Sequence, residues 1–141
     1  MSAEQNLNVF RQVIEEGFNR VELDHLDNLF AGTVIEHQFG MPPNVEGVKN
    51  SIRFLHKAFP DFHLEIDELI AHDDKVWARM TGRGTNLGGI MGPPNGKSFE
   101  IAVFDVCRFE NGKIVEHWGA PDRFAQMSQL GLLPERQPQG Q

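Results

Sequence analysis

Apolar residues recur at steps of three and four over the N-terminal half of the chain, which is the spacing of one face of an amphipathic helix. Ser2 and Gln5 form a capping box that begins a first long helix. Its apolar stripe is Leu7, Phe10, Ile14, Phe18 and Val21. A short helix after Asp24 carries Leu26, Leu29 and Phe30 and ends at Gly32. A third helix has the stripe Val48, Ile52, Leu55 and Phe59 and stops at Pro60.

From residue 61 onward the apolar period changes from that of a helix to that of a strand. Residues 62–71 and 76–86 alternate apolar and polar positions, and residues 33–38 form a further short strand. Two apolar runs flank Asn111-Gly112 as a hairpin, and a last helix follows Asp122. Helices first and strands afterwards predict an α+β fold. In it a curved mixed sheet wraps around the N-terminal helices as a cone with one open mouth.

The hairpin of residues 99–118 contains Asp105 and His117 inside apolar runs. Because an unpaired buried charge is costly, they either pair with a structural partner or form the polar end of a pocket. A two-residue turn would place Asp105 opposite Trp118. A three-residue turn with a bulge at Gly112 would place Asp105 opposite His117, and we favour this second register. The residues sharing one face would then be Ile101, Val103, Asp105, Val115, His117 and Gly119.

Asp105 is the first candidate for a catalytic group, because a carboxylate on an apolar cavity face can act as a general base. The alternative is a salt bridge to Arg79 or Arg83 on the adjacent strand. His117 is either a second acid–base group or a core histidine bonded to a backbone carbonyl.

Glu36 and His37, at the end of the short first strand, are further catalytic candidates, with a solvated strand end as the alternative. A flat apolar ligand would need apolar neighbours, and each of these can equally belong to the core or to a dimer surface. The predicted substrate-binding residues are Phe10, Phe18, Phe39, Trp77, Arg79, Ile90, Met91, Val103, Trp118 and Gly119.

Composition narrows the range of functions by exclusion. The 141 residues carry a net charge of −7 and no block of Lys or Arg, which argues against nucleic acid and membranes as partners. There are 11 Phe and no Tyr, so no tyrosine can serve as an acid or oxyanion donor. One cysteine, Cys107, and the spacing of the histidines predict neither an internal disulfide nor a metal site.

No apolar run is long enough for a membrane span, and the N-terminus does not have the pattern of a signal peptide. We therefore expect a cytoplasmic protein. One domain is predicted over residues 1–131, followed by a flexible tail over residues 132–141.

Residues 59–123 resemble the SnoaL-like polyketide cyclase family, within the nuclear-transport-factor-2-like (ketosteroid-isomerase-like) superfamily. The matching features are Phe59-Pro60-Asp61, Gly84-Thr85, Met91-Gly92-Pro93-Pro94 before Gly96-Lys97, and residues 109–118. With the helical N-terminal half, the resemblance spans about residues 5–131. It implies a cone-shaped, cystatin-like α+β barrel and a homodimer packed through the outer face of the sheet. It also implies an intramolecular aldol condensation without metal or cofactor.

In the family that this chain resembles, an acid on the last strand abstracts a proton next to a carbonyl, and that position is Gly119 here. The position where the cyclases have a histidine is Asp105, His117 is present, and the polar position of the first strand is Glu36 or His37. The resemblance therefore implies proton transfer with the acid moved to the neighbouring strand.

We predict a cofactor-independent enzyme that cyclises or isomerises an apolar carbonyl compound of secondary metabolism. Asp105 would be its base, and His117 and His37 would donate to the developing oxyanion. One alternative is a hydrolase that activates water on an epoxide or ester in the same pocket. The other is a non-catalytic small-molecule-binding protein, which Gly119 at the acid position favours.

Overall fold

The computed structural model describes residues 2–134. Its helices are α1 (Ala3–Gln12), which continues as a π-helix over Val13–Asn19, a short 3₁₀-helix (Asp24–Asn28), α2 (Val45–Ala58) and α3 (Arg123–Gln129). Its strands are β1 (Phe30–Glu36), β2 (His63–His72), β3 (Lys75–Thr85), β4 (Ser98–Glu110) and β5 (Lys113–Pro121).

Each of the three α-helices begins at a polar residue whose side chain accepts a hydrogen bond from the first turn. Ser2 and Gln5 form the predicted capping box of α1. The Asn44 side chain accepts from the Gly47 N–H at the start of α2, and Asp122 does the same for α3. These caps hold the helices against the sheet at fixed starting points.

The strands form one curved, unclosed sheet in the order β1-β5-β4-β3-β2. β1 runs parallel to β5, and the other neighbours are antiparallel. The concave face of the sheet packs against the helices. The largest fully buried hydrophobic side chains there include Phe10, Ile14, Leu26, Ile52, Phe59, Met80, Ile114 and Leu130. The predicted α+β fold, with a curved mixed sheet around the N-terminal helices, is confirmed.

The beginning of β1 differs from the sequence prediction. Phe30 and Gly32 were expected in a short helix and at its end, and both belong to the strand. The strand covers Phe30–Glu36 instead of residues 33–38 because Phe30 pairs in parallel with Ile114 of β5. Pairing with a distant strand therefore outweighs the local helical spacing of the apolar residues.

The favoured hairpin register is wrong. Asn111 and Gly112 have φ angles of 52° and 75°, so the turn has two residues and pairs Glu110 with Lys113. Such a turn needs positive φ at both central positions, and the Asn-Gly dipeptide tolerates this.

A bulge in β5 then shifts the pairing by one residue. Phe109 pairs with Ile114, and the next pair is Arg108 with Glu116, so Val115 is the extra residue. Asp105 consequently lies opposite Gly119, a position that neither predicted register gives.

Residues 132–134, at the start of the predicted tail, continue from α3 without regular secondary structure. The Leu132 N–H donates to the Met127 carbonyl at 2.9 Å, and Leu132 packs against the core. The rest of the predicted tail, residues 135–141, lies outside the described residues. No helix within residues 2–134 is long and apolar enough to span a membrane.

Candidate functional site

A cavity of about 580 Å³ lies between the concave face of the sheet and the helices. Most of its wall is apolar, and its volume is within the usual range for a small-molecule site. The apolar wall includes Phe10, Ile14, Phe18, Phe59, Leu64, Phe99, Ile101, Val103 and Ile114. Its solvent-exposed lining residues mark the mouth, and they include Phe39, Asn50, Phe54 and Arg123.

The polar end of the cavity is formed by Glu36, His117 and Asp105. His117 Nδ1 lies 2.6 Å from Glu36 Oε2, and His117 Nε2 lies 3.3 Å from Asp105 Oδ2. The side chains of Glu36, His117 and Asp105 are 5%, 15% and 16% exposed. One imidazole is thus held between two carboxylates in a largely dry environment.

Strand pairing explains why these three residues meet. Glu36 is paired directly with His117 across the parallel β1–β5 ladder. Asp105 is opposite Gly119, so its contact with His117 is diagonal, on the same face of the sheet. The Val115 bulge sets this arrangement, because without it the later residues of β5 would point to the opposite face.

The two carboxylates keep His117 protonated. Burial alone would lower the pKa of His117, but its hydrogen bonds and charge interactions with Asp105 and Glu36 outweigh burial and raise that pKa to about 10. At neutral pH, His117 is therefore an imidazolium, with Nδ1 directed at Glu36 and Nε2 directed at Asp105.

Gln38 occupies the space beside Gly119. Its side-chain oxygen lies where a Cβ at position 119 would be, and that Cβ would also approach His117 Cε1 at 2.8 Å and Asp105 Oδ1 at 3.0 Å. The space that an acidic side chain at 119 would need is therefore already filled. The Gln38 N–H also donates to Glu36 Oε2 at 3.0 Å, which helps to hold this carboxylate.

His37 lies on the opposite, outer face of the sheet from the cavity. Its ring stacks on Trp118 with ring centres 4.6 Å apart, and its Nε2 lies 2.7 Å from Glu116. Glu116 is in turn paired with Arg108 at 2.7 Å. The structure thus does not bring His37, a predicted oxyanion donor, to the cavity.

The predicted substrate-binding residues divide into two groups. Five line the cavity: Phe10, Phe18, Phe39, Met91 and Val103. Trp77, Arg79 and Trp118 lie on the outer face, and Ile90 and Gly119 are not part of the cavity wall. Sheet alternation explains the difference for β3, where the odd-numbered residues face outward.

The alternative of an arginine paired with Asp105 is wrong. Arg79 is paired with Glu68 at 2.7 Å and Arg83 with Glu65 at 2.9 Å, both on the outer face of the sheet. The basic partner of Asp105 is His117 instead.

Comparisons with known proteins agree with this fold. The family model for SnoaL-like polyketide cyclase matches residues 8–130. The chain belongs to this family. Similar solved structures include TsrD from Streptomyces laurentii, with 28% identity, a TM-score of 0.77, and 92% of this chain and 95% of TsrD covered.

Two further relatives of this SnoaL-like chain carry suggested activities. IdmH from Streptomyces antibioticus, a candidate polyketide cyclase, has 28% identity and a TM-score of 0.75, with 90% of this chain and 99% of IdmH covered. AclR from Streptomyces galilaeus, a candidate hydroxylase, has 25% identity and a TM-score of 0.81, with 95% and 89% covered. A search of curated proteins finds no match to the sequence.

The polar residues of the SnoaL-like cavity that were missed from the sequence include Gln38, Arg123 and Gln126. Gln38 follows Glu36 by two residues, so strand alternation could have placed both on one face. Arg123 stands in the first turn of α3, where the helix dipole disfavours a cation, and this was an available signal. Nothing local marked Gln126.

Cys107 also lines the cavity of this family member and is buried. Burial, together with the charges of Asp105 and Glu36, raises the pKa of the Cys107 thiol well above its usual range. The thiol therefore stays protonated and unreactive, as a small apolar group of the wall.

Proposed function

We propose that this SnoaL-like protein is a cofactor-independent enzyme that abstracts a proton next to the carbonyl of an apolar compound of secondary metabolism. The resulting enolate would close a ring by aldol addition or be reprotonated as an isomer. The observation that carries the proposal is the Glu36–His117–Asp105 group at the polar end of an otherwise apolar cavity.

Asp105 is the proposed base. One of its oxygens, Oδ2, faces His117 Nε2 at 3.3 Å, which leaves Oδ1 to receive a proton from the substrate. The Asp105 side chain is 16% exposed and lines the apolar cavity, so a C–H group of a bound ligand can reach this carboxylate. When Asp105 takes the proton, the negative charge moves to the enolate oxygen of the substrate.

His117 is the proposed donor to that oxygen. Its Nδ1–H bond to Glu36 is short, whereas the Nε2···Asp105 distance of 3.3 Å is longer than a typical hydrogen bond. The Nε2–H is therefore the proton that a substrate oxygen can share. A fixed imidazolium in a dry site stabilises developing negative charge far better than water does.

Glu36 is a positioning residue in this scheme. It binds His117 Nδ1 and is itself held by the Gln38 N–H, so the imidazole ring has one orientation. Its negative charge also helps to keep His117 protonated.

Deuterium exchange at the α-carbon of a neutral apolar ketone tests the chemistry without knowledge of the natural substrate. β-Tetralone in deuterium oxide would be followed by NMR with the wild-type protein and with Asp105→Asn. We expect the wild type to catalyse exchange, and Asp105→Asn to slow it by about a hundredfold or more because the base is lost.

Asp67→Asn is the matched control, since Asp67 is an acid on the outer face of the same sheet. Exchange should proceed normally in that variant. Wild-type protein that binds the ketone without exchanging its protons would contradict the proposal.

A non-catalytic binding protein is the second candidate, and Gly119 at the position of the family acid favours it. Binding without exchange in the same assay would support this candidate. A hydrolase in which Asp105 activates water on an epoxide or ester is the third candidate. This activity would be detected as turnover of styrene oxide or an aryl ester.

We further propose that the protein forms a homodimer through the outer face of its sheet. That face exposes Trp77 and Phe104, which are 53% and 52% accessible in the single chain. With Trp118 and Val106 they border a shallow groove of about 330 Å³. Large exposed apolar side chains on neighbouring strands are typical of an interface.

A further inference from the structure

A second polar group lines the cavity, away from Asp105 and His117. Arg123 and Gln126 are both part of the wall, and Arg123 Nη1 donates to Gln126 Oε1 at 2.8 Å. Gln126 is 2% exposed, whereas Arg123 is accessible to solvent at the mouth. The cavity therefore has a cation at its entrance and the imidazolium–carboxylate group at its buried end.

Arg123 differs from the arginines of the outer face. Arg79, Arg83 and Arg108 each pair with two carboxylates. Within residues 2–134, Arg123 has no such ion pair. Its guanidinium donates a hydrogen bond to the neutral side-chain amide of Gln126. Partial burial of the guanidinium lowers the pKa of Arg123, which stays charged at neutral pH.

The helix that carries Arg123 is held firmly against the sheet. The Asp122 N–H donates to the Ala102 carbonyl at 3.0 Å. The Gln129 side chain accepts from the Glu100 N–H at 2.7 Å and donates to the Glu100 carbonyl at 3.1 Å. The guanidinium is thus presented from a fixed support at a mouth that is otherwise largely apolar.

We propose that Arg123 and Gln126 bind an anionic oxygen group, such as a carboxylate, of the molecule that occupies the cavity. A guanidinium binds a carboxylate with two parallel hydrogen bonds. The substrate would then be a free acid, and the corresponding ester would bind more weakly. This inference rests on the proposed function, because it takes the molecule in the cavity to be a substrate.

The geometry also orients that substrate. His117 and Pro121 are four residues apart on β5, which corresponds to about 13 Å of strand, and Arg123 follows at the same end of the sheet. The anionic group would stay at the mouth while the reacting carbonyl enters first. An elongated molecule with a carboxylate at one end and the reacting carbonyl toward the other fits these two polar groups.

Two fluorescent probes with one apolar skeleton test the inference by binding alone. Anilinonaphthalenesulfonate carries a sulfonate that N-phenylnaphthylamine lacks, so the ratio of their affinities measures the preference for an anion. We expect wild-type protein to prefer the sulfonate. Arg123→Gln should reduce that preference about tenfold, and Arg123→Lys should retain part of it because the charge remains.

Arg11→Gln is the matched control, since Arg11 lies on α1 outside the cavity wall and bonds to Asn8. It should leave the preference unchanged. An equal loss for both probes in Arg123→Gln, or no change in their ratio, would overturn the inference. So would the same loss of preference in Arg11→Gln, because that would indicate a general effect of surface charge.

The two proposals can fail separately. A sulfonate preference that depends on Arg123, without deuterium exchange in β-tetralone, would leave the anion site intact and remove the catalytic proposal. Deuterium exchange that depends on Asp105, with probe affinities that do not change in Arg123→Gln, would support the catalytic proposal and remove the anion site.

Discussion

The environment of His117 makes the stability of the protein depend on pH. The two carboxylates raise its pKa to about 10 in the folded protein, against about 6.5 in an unfolded chain. The folded state therefore binds the proton more tightly than the unfolded state does. The resulting stabilisation is complete below about pH 6.5 and is lost as pH rises toward about 10.

We predict that the free energy of unfolding of wild type, relative to His117→Gln, falls by a few kcal/mol between pH 6.5 and 10. Urea denaturation at a series of pH values would measure this. His72→Gln is the matched control, because the His72 side chain is 81% exposed. Parallel curves for wild type and His117→Gln would show that His117 is not held as an imidazolium. An NMR titration in which His117 changes protonation near pH 6.5 would show the same.

Gly119 permits a second prediction about single residues. A methyl group at this position would collide with the Gln38 side chain and crowd His117 and Asp105. We expect Gly119→Ala to cost about 1–3 kcal/mol of stability, as overpacking usually does. The cost should be smaller in a Gln38→Ala background, where the space is free, and thermal or urea unfolding of the four proteins gives the coupling. Additive effects would mean that Gln38 does not compete for this space.

Part of this residue-scale picture could be predicted from the sequence. Asp105 and His117 were identified because a carboxylate and an imidazole inside apolar runs require a partner. Their mutual contact was expected from a hairpin register that is not observed, and it forms diagonally instead, because Asp105 lies opposite Gly119. That Gln38 fills the space beside Gly119 could not be predicted, because the side chain comes from β1 and packs across the β1–β5 ladder.

At the scale of elements, the Val115 bulge decides which residues of β5 reach the cavity. The Asn-Gly turn was predicted from the sequence. It has two residues, as in the register that we did not favour. The bulge could not be predicted from the sequence, because Ile114 and Val115 are adjacent apolar residues and either one is suited to face the core. Ile114 is buried and pairs with Phe30 of β1, so Ile114 and not Val115 faces the core. The bulge then places His117 on the cavity face.

The same competition explains the misplaced first strand. The spacing of Leu26, Leu29 and Phe30 is compatible with a helix, yet Phe30 lies in β1 and pairs with β5 more than eighty residues later in the chain. Parallel pairing of this kind leaves no local signal. By contrast, the end of α2 followed directly from Pro60, where the missing proline N–H acts locally.

On the scale of the whole molecule, the two faces of the sheet have different chemistry. The concave face encloses an apolar cavity with a cation at its mouth and a carboxylate–imidazolium group inside. The outer face combines exposed aromatic residues with paired charges such as Arg79–Glu68 and Arg83–Glu100. Residues that the sequence marked as aromatic ligand contacts divided between these faces, and only strand register could separate them.

The outer face gives the last prediction. If Trp77 and Phe104 pack against a second copy of the chain, wild type should have twice the 15.9 kDa mass of one chain by light scattering after gel filtration. Phe104→Lys places a charge in that contact and should yield monomers, since an unpaired charge is costly to bury. Phe124→Lys is the matched control: Phe124 is 77% exposed on α3, away from this face, and its substitution should leave the dimer intact. A monomeric wild type, or a dimer that persists in Phe104→Lys, would contradict the assignment. Because the cavity opens on the other side of the sheet, dissociation should not by itself abolish ligand binding.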